Sequence, residues 1–294
     1  MKTNIPLDLD SLLKTCSHIC NDLLFPGSVA TPTQGRASPR PPRPSRASRT
    51  ARLQREYPHI LLVEQLYACY PGQEGTVDRL VRNNCNRIVR IDMDQENFPY
   101  TVLVLADTFR EMVYRTNPPL LQDIADRYVN MVLSYGETRV SRETLREHSL
   151  CNGSRGNISS MEMQLVHVGL LVLSREEGVY NLTLTHLGGL LRVVDRALRW
   201  VLRQLDGAGR GGTVAATVLR EKWYGGVSLE SGGLFRGAST SKEGVIYDNK
   251  VKKEVSLCIY KFRGMGLEYV LLLALGRGLL EKRKTPTGVF YMRI

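Results

Sequence analysis

Two stretches of this 294-residue chain carry the same order of local signals: an apolar helix, Gly-Leu-Leu, a strand, a polar turn and a second strand. The first runs from Ser159 through Met161, Leu165 and Val166 to Gly169, Leu170 and Leu171, then through Val172 and Leu173 to Val179–Leu184. The second takes Met265–Leu275 as the helix, then Gly278, Leu279 and Leu280, a turn at Thr285–Gly288, and Val289–Ile294. In each, glycine falls where the helix must stop, because it alone enters the left-handed region without a Cβ penalty. A short helix feeding a two-stranded hairpin is how a winged helix ends, as recognition helix and wing. An ordinary α+β core is the competing reading.

Charge narrows the partners. Forty Lys and Arg stand against 29 Asp and Glu, a formal net charge of +11. That surplus favours a polyanion, either nucleic acid or an acidic membrane surface. No apolar run approaches the roughly 18 residues needed to span a bilayer, and Val270–Leu275 is far too short. Asp8 and Asp10 precede only a weak apolar stretch, unlike a signal peptide. The expectation is a soluble intracellular protein with no membrane contact. The six cysteines (Cys16, Cys20, Cys69, Cys85, Cys151 and Cys258) are scattered, which points to free thiols in a reducing compartment.

Composition also divides the chain. Pro26–Arg55 holds no acidic residue, and arginine recurs at every third position from Arg40 to Arg55. Such a segment buries too little apolar surface to offset its ordering entropy. Residues 1–56 are therefore read as a disordered Pro/Arg-rich arm, with one helix possible over Ile5–Phe25. Residues 57–116 form the first expected winged helix, with helices over Ile60–Tyr67 and Thr76–Asn84 and a hairpin of Arg87–Met93 with Thr101–Leu105. Residues 117–205 form the second. It has an amphipathic helix over 120–134, a short helix capped by Ser141, and a capping box of Ser159 with Glu162 before the hairpin. A long helix over Leu187–Leu205 closes it. Residues 206–294 form the third, with a Gly-rich insert and a first helix around Leu219–Leu229; Val251–Phe262 reads equally as strand or helix. The fold class expected is α+β, three tandem winged helices behind a disordered basic arm.

The most specific surface signal lies on the long helix. Arg192, Arg196, Arg199 and Arg203 follow at steps of four, three and four, which stacks four guanidinium groups on one face. The leucines and valines between Leu187 and Leu205 fill the opposite arc, and Asp195 is the one acid in the stripe. In so basic a chain this reads as a ridge for phosphates rather than a merely solvated face. A second cluster comprises Lys250, Lys252, Lys253, Lys261 and Arg263, then Lys282, Arg283 and Lys284 beside the last turn, where a wing meets the backbone or the minor groove. Lysines on a hairpin edge also discourage aggregation, which is the bland alternative.

Motifs for chemistry fail on context. Gly207–Val214 satisfies G-x-G-x-x-G-x-V, the phosphate-covering loop of protein kinases, but it leaves a helix instead of joining two strands. No Val-Ala-Ile-Lys strand, His-Arg-Asp loop or Asp-Phe-Gly motif follows, so nothing would hold magnesium or act as the catalytic base. Cys16, His18 and Cys20 lack a downstream pair of zinc ligands. Asp92 and Asp94 fall at an expected hairpin turn, where Asp is common anyway. The five histidines pair with no nucleophile in the sequence. The expectation is no catalytic residue, no metal site and no cofactor.

From about Tyr57 to Ile294 the chain resembles the serine/threonine-protein kinase 19 family. The resemblance rests on the order of units: Arg87–Ile91 ending the first, the Gly-Leu-Leu hairpin of Val166–Thr185, the basic helix, and the closing helix into Gly278–Leu280 with its Thr-Gly turn. Despite the family's name, the resemblance implies tandem winged helices without a kinase fold. It implies nuclear, chromatin-associated binding of double-stranded DNA and a role in transcription-coupled nucleotide excision repair. There it would bridge stalled RNA polymerase II, the Cockayne-syndrome recognition proteins and the helicase of the general repair factor. A protein kinase, as the name suggests, and a pure protein-interaction module are the alternatives.

Overall fold

A computed structural model of the protein describes residues 7–26, 57, 59–93, 99–116, 122–151, 160–207, 213–224 and 261–294. Its architecture is α+β, with small antiparallel sheets each covered by helices. Among the described residues one order of elements occurs three times: helix, strand, helix, helix, strand, strand.

The first set is α1 (Leu9–His18, prolonged by a π-helical turn over Ile19–Leu23), β1 (Leu61–Leu62), α2 (Val63–Cys69), α3 (Glu74–Asn83), β2 (Ile88–Met93) and β3 (Tyr100–Leu105), followed by α4 (Ala106–Thr116). The second is α5 (Gln122–Tyr135), β4 (Arg139–Ser141), α6 (Arg142–Glu147), α7 (Ser160–His167), β5 (Leu171–Leu173) and β6 (Val179–Leu182). The third is α8 (Leu187–Asp206), β7 (Thr213–Ala215), α9 (Ala216–Tyr224), α10 (Leu267–Gly276), β8 (Leu280–Thr285) and β9 (Gly288–Arg293). In every sheet the short first strand pairs with the last, giving the orders β1-β3-β2, β4-β6-β5 and β7-β9-β8.

These first strands escape a sequence reading. Ile60–Tyr67 reads as one helix, yet Leu61 and Leu62 pair with Leu103 and Val102 before the helix begins at Val63. Strands of two or three residues are too short to show a period of two. The hairpins, by contrast, fall where expected. Gly169 and Gly278 hold φ of 77° and 65°. In both places the next amide reaches back five residues, Leu170 to the Leu165 carbonyl and Leu279 to the Ala274 carbonyl, each at 2.9 Å. The repeated Gly-Leu-Leu is thus a repeated helix C-terminal cap that turns the chain into a strand. Ser141 caps α6 as expected, its hydroxyl accepting from the Thr144 amide at 3.1 Å.

The described residues fall into two compact units. One contains residues 1–20 and 57–190, the other residues 21–56 and 191–294. The first unit holds two of the sheets. Leu12, Cys16, Ile19 and Cys20 are buried there, and the Thr15 hydroxyl meets the Tyr70 phenol at 2.6 Å. A disordered arm over 1–56 therefore does not hold for its beginning, because α1 supplies the first helix of the first set; residues 27–56 lie outside the described ones. The sequence signal was present, since Leu12, Cys16 and Ile19 keep a 4-3 spacing. Helix α4 was also missed, although Phe109, Met112 and Val113 are buried at helical spacing. Tyr128 on α5 is wholly buried and donates to the Leu170 carbonyl at 2.8 Å. Glu162 is fully buried, accepts from Arg142 Nε at 2.9 Å and from the Tyr180 phenol at 3.2 Å, and ties α7 to α6 and β6; Ser159, its expected capping partner, lies outside the described residues.

The second unit has its own core. Trp223 stacks on Phe262 with centroids 4.8 Å apart, and Trp200 of α8 stands edge-on to Trp223 at 5.2 Å. Trp223 Nε1 donates to the Met265 carbonyl at 3.0 Å. The sequence reading gave the long helix to the middle domain; from Leu191 onward it lies in this second unit, whose aromatic cluster it completes. The helix expected around Leu219–Leu229 is α9, Ala216–Tyr224, and it is the second helix of its set, not the first.

Candidate nucleic-acid interface

The basic ridge is built by one helix with a sharply divided surface. Along α8, Leu191, Val194, Leu198, Val201 and Leu205 are buried, whereas Arg192, Arg196, Arg199 and Arg203 are exposed. Their 3-4 spacing aligns them because each residue advances about 100° around the helix. Arg196 and Arg203 lie back along the axis, each Nε donating to the carbonyl four residues earlier at 3.2 Å. Arg199 is ion-paired with Asp195 one turn before it. Arg192, Arg196 and Arg203 have no carboxylate partner among the described residues. The ridge therefore carries three uncompensated guanidinium groups and one that is half neutralised.

Packing of the rest of the unit holds this helix in place. Asp206, its last residue, is ion-paired with Arg293 at the base of the final hairpin. Lys222 on α9 donates to Gln204 at 3.1 Å. Glu268 on α10 receives Arg220 Nε at 2.8 Å and the Tyr224 phenol at 2.9 Å, and the Leu267 amide donates to that same phenol oxygen. Burial first, and then the Glu268 charge, push the Tyr224 phenol well above its ordinary range, so it stays protonated.

The final hairpin turns through Pro286 and Thr287, with Thr285 facing Gly288. Lys282, Arg283 and Lys284 are all exposed on β8. Lys282 and Lys284 share one face, since side chains alternate along a strand. Arg283 falls on the other and is matched to Glu281 at 3.1 Å, which holds the Glu281 carboxyl below its usual range. Two of the three hairpin cations thus remain for a ligand. Lys250, Lys252 and Lys253 lie outside the described residues.

The third helix of each set is where a recognition helix is expected; α3 exposes Arg79 and Arg82, whereas α7 and α10 expose little charge. α10 carries no basic side chain before Arg277 and buries Leu267, Tyr269, Val270, Leu271, Leu273 and Ala274. The exposed side chains of α7 are Ser160, Met163, Gln164 and His167. Among the described residues of the second unit, α8, the final hairpin and, at Arg220 and Lys222, α9 carry positive charge.

The other candidate motifs separate from one another. Gly207 follows α8 and Thr213 begins β7, so the glycine-rich segment lies between a helix and a strand; Gly209 and Gly212 lie outside the described residues. Cys16 and Cys20 are buried, and burial pushes the Cys16 thiol up to about 12 and that of Cys20 higher still, which opposes the thiolate that a metal requires. Asp92 lies within β2, where Arg90, Thr101 and Thr138 donate to it. Among the described residues no cluster of three or more His, Cys, Asp or Glu could hold a metal ion, and no helix is long and apolar enough to cross a membrane.

No curated protein matches the chain. The family described as inactive serine-threonine protein kinase 19 matches residues 43–292, which takes in all three sheets. The chain belongs to the inactive serine-threonine protein kinase 19 family.

Proposed function

We propose that the protein is a non-enzymatic DNA-binding adaptor of three tandem winged helices, acting in the nucleus on chromatin. The observation that carries this reading is the ridge of Arg192, Arg196, Arg199 and Arg203 on α8, exposed along one face while the opposite face is buried. Three features support it. The thrice-repeated element order, with the first strand paired to the last, is that of a winged helix. Lys282 and Lys284 extend the positive charge onto the final wing. The family's description as inactive accords with a chain whose glycine-rich segment lacks a kinase's strand-loop-strand setting.

Duplex DNA is the partner. The phosphate backbone is contacted by the ridge and the wing through charge, with no base reading required of α10. The family resemblance extends the role to transcription-coupled nucleotide excision repair, with RNA polymerase II, the Cockayne-syndrome recognition proteins and the general repair helicase as the factors positioned. The test is a salt titration of duplex binding by the intact chain and by a variant with all four arginines changed to Ala. The reading expects weaker binding and a shallower dependence on salt in the variant. Equal affinity and equal slope would reduce the ridge to a solvated face.

A further inference from the structure

The first unit contains a cleft that the DNA-binding reading does not use. It lies between β2, the edge strand of one sheet, and β4, the edge strand of the next, both within the same compact unit. The two sides approach each other at Gly136 and Cys85: a Cβ on Gly136 would lie 3.1 Å from Cys85 Cβ. From there the cleft continues as a second hollow past Tyr100 and Thr101 to Asn181, and the two parts share Arg90, Asp92, Thr138 and Arg139.

Its charge is organised. Asp92 is occupied by Arg90 Nε at 3.1 Å and by the hydroxyls of Thr101 and Thr138 at 2.9 and 3.2 Å. That arrangement fixes Arg90 in the wall and uses only its Nε. Arg82, at the end of α3, is exposed and has no ion pair among the described residues. Arg139 is ion-paired with Glu176 at 3.5 Å, and Glu137 stands exposed at the rim. Positive groups therefore alternate with carboxylates, unlike the acid-poor ridge on α8. A duplex presents phosphates in unbroken series, and Glu137 and Glu176 would oppose it; nor does a duplex fit a cleft whose sides meet at side-chain contact distance. An extended polypeptide does fit. Edge strands offer backbone donors and acceptors for strand addition, Val81 and Ile88 give an apolar lining, and an anionic side chain would meet Arg82 and the outer nitrogens of Arg90.

We propose that the cleft between β2 and β4 is a docking site for an extended acidic peptide segment of a protein partner. The segment runs along the edge of β2 and sets a carboxylate between Arg82 and Arg90. Peptides selected on the full chain from a random display library, then synthesised with a fluorescent label, provide the probe. The expected selection has an Asp or Glu beside an apolar residue and shifts the methyl resonances of Val81 and Ile88. Arg82→Glu should weaken these peptides by tenfold or more and Glu137→Lys should tighten them, with thermal unfolding unchanged because both side chains are exposed. Neither change should alter duplex affinity, so failure here is distinct from failure of the DNA-binding reading. Selection of basic peptides, selection of none, or indifference to both substitutions overturns the proposal. So does a loss of duplex affinity in Arg82→Glu, which would assign the cleft to nucleic acid.

Discussion

Gly266 donates its amide to the Leu24 carbonyl at 3.0 Å, and the Leu23 backbone runs so close that a Cβ at 266 would lie 2.1 Å from its carbonyl oxygen. A residue from the beginning of the chain and one from near its end are thus packed backbone to backbone, with Leu24 and Phe25 buried. Gly266→Ala must displace main chain, and overpacking of this kind costs about 1–3 kcal/mol or more. Deleting residues 1–26 should be worse, since it also removes Leu12, Cys16 and Ile19 from the core. Urea unfolding followed by far-ultraviolet circular dichroism measures both. A truncated chain with an unaltered cooperative transition would show that this segment is dispensable.

The buried pair of Arg142 and Glu162 makes an asymmetric prediction. Arg142→Met removes the Nε–H that the fully buried Glu162 carboxylate accepts, and breaking a buried ion pair costs about 3–5 kcal/mol. Changing both residues together, Arg142→Met with Glu162→Met, should recover much of that loss. A double-mutant cycle on denaturation free energies decides it; additive losses would mean the pair is not coupled.

On the ridge the four arginines should not be equivalent. Arg192→Ala, Arg196→Ala and Arg203→Ala should each lower the log-log salt slope of duplex binding by about 0.9 per lost phosphate contact. Arg199→Ala should lower it less, because Asp195 already holds that side chain. Asp195→Asn should raise affinity at low salt. None should shift stability by more than about 0.5 kcal/mol, as surface changes rarely do. Four equal effects would show that the Asp195 pair does not persist in the complex.

His59 supplies a pH dependence. Burial, and then the nearby Arg115, lower its pKa from the ordinary 6.5, against the opposing pull of Glu111. The native imidazole therefore resists protonation while the unfolded one accepts it. Stability is full above that ordinary value and declines as pH falls through it toward the lowered native value. Thermal midpoints measured between about pH 8 and pH 5 should fall with acid, and His59→Gln should flatten that part of the curve. A slope unchanged by the substitution would assign the titration to another group.

The glycine-rich segment should be inert toward nucleotide. Changing Gly207, Gly209 and Gly212 together to Ala is expected to leave duplex binding intact and to remove no ATP binding, since none should be present. Calorimetry with ATP and magnesium checks this. Stoichiometric binding lost in the triple variant would restore the phosphate-loop reading.

Signals carried within one helix or hairpin were legible in the sequence. The 3-4 spacing of α8 separated Arg192, Arg196, Arg199 and Arg203 from the leucines opposite, and the structure exposes all four. The Gly-Leu-Leu caps and the Ser141 cap depend on neighbours in the chain, and they formed where local chemistry asked for them. Pairings over long distances were decided only by the tertiary structure. β1, β4 and β7 exist because β3, β6 and β9 receive them, and two or three residues carry no periodicity of their own. Leu9–His18 is a core helix because Tyr70 and the buried residues around it take up its apolar face, although it borders a Pro/Arg-rich segment. Glu162 lies in the interior because Arg142 and Tyr180, 20 and 18 residues away, donate to it. Local preferences are worth tenths of a kcal/mol to about one, whereas burying a large side chain or stranding a charge is worth several, so where the two disagreed the fold followed the packing.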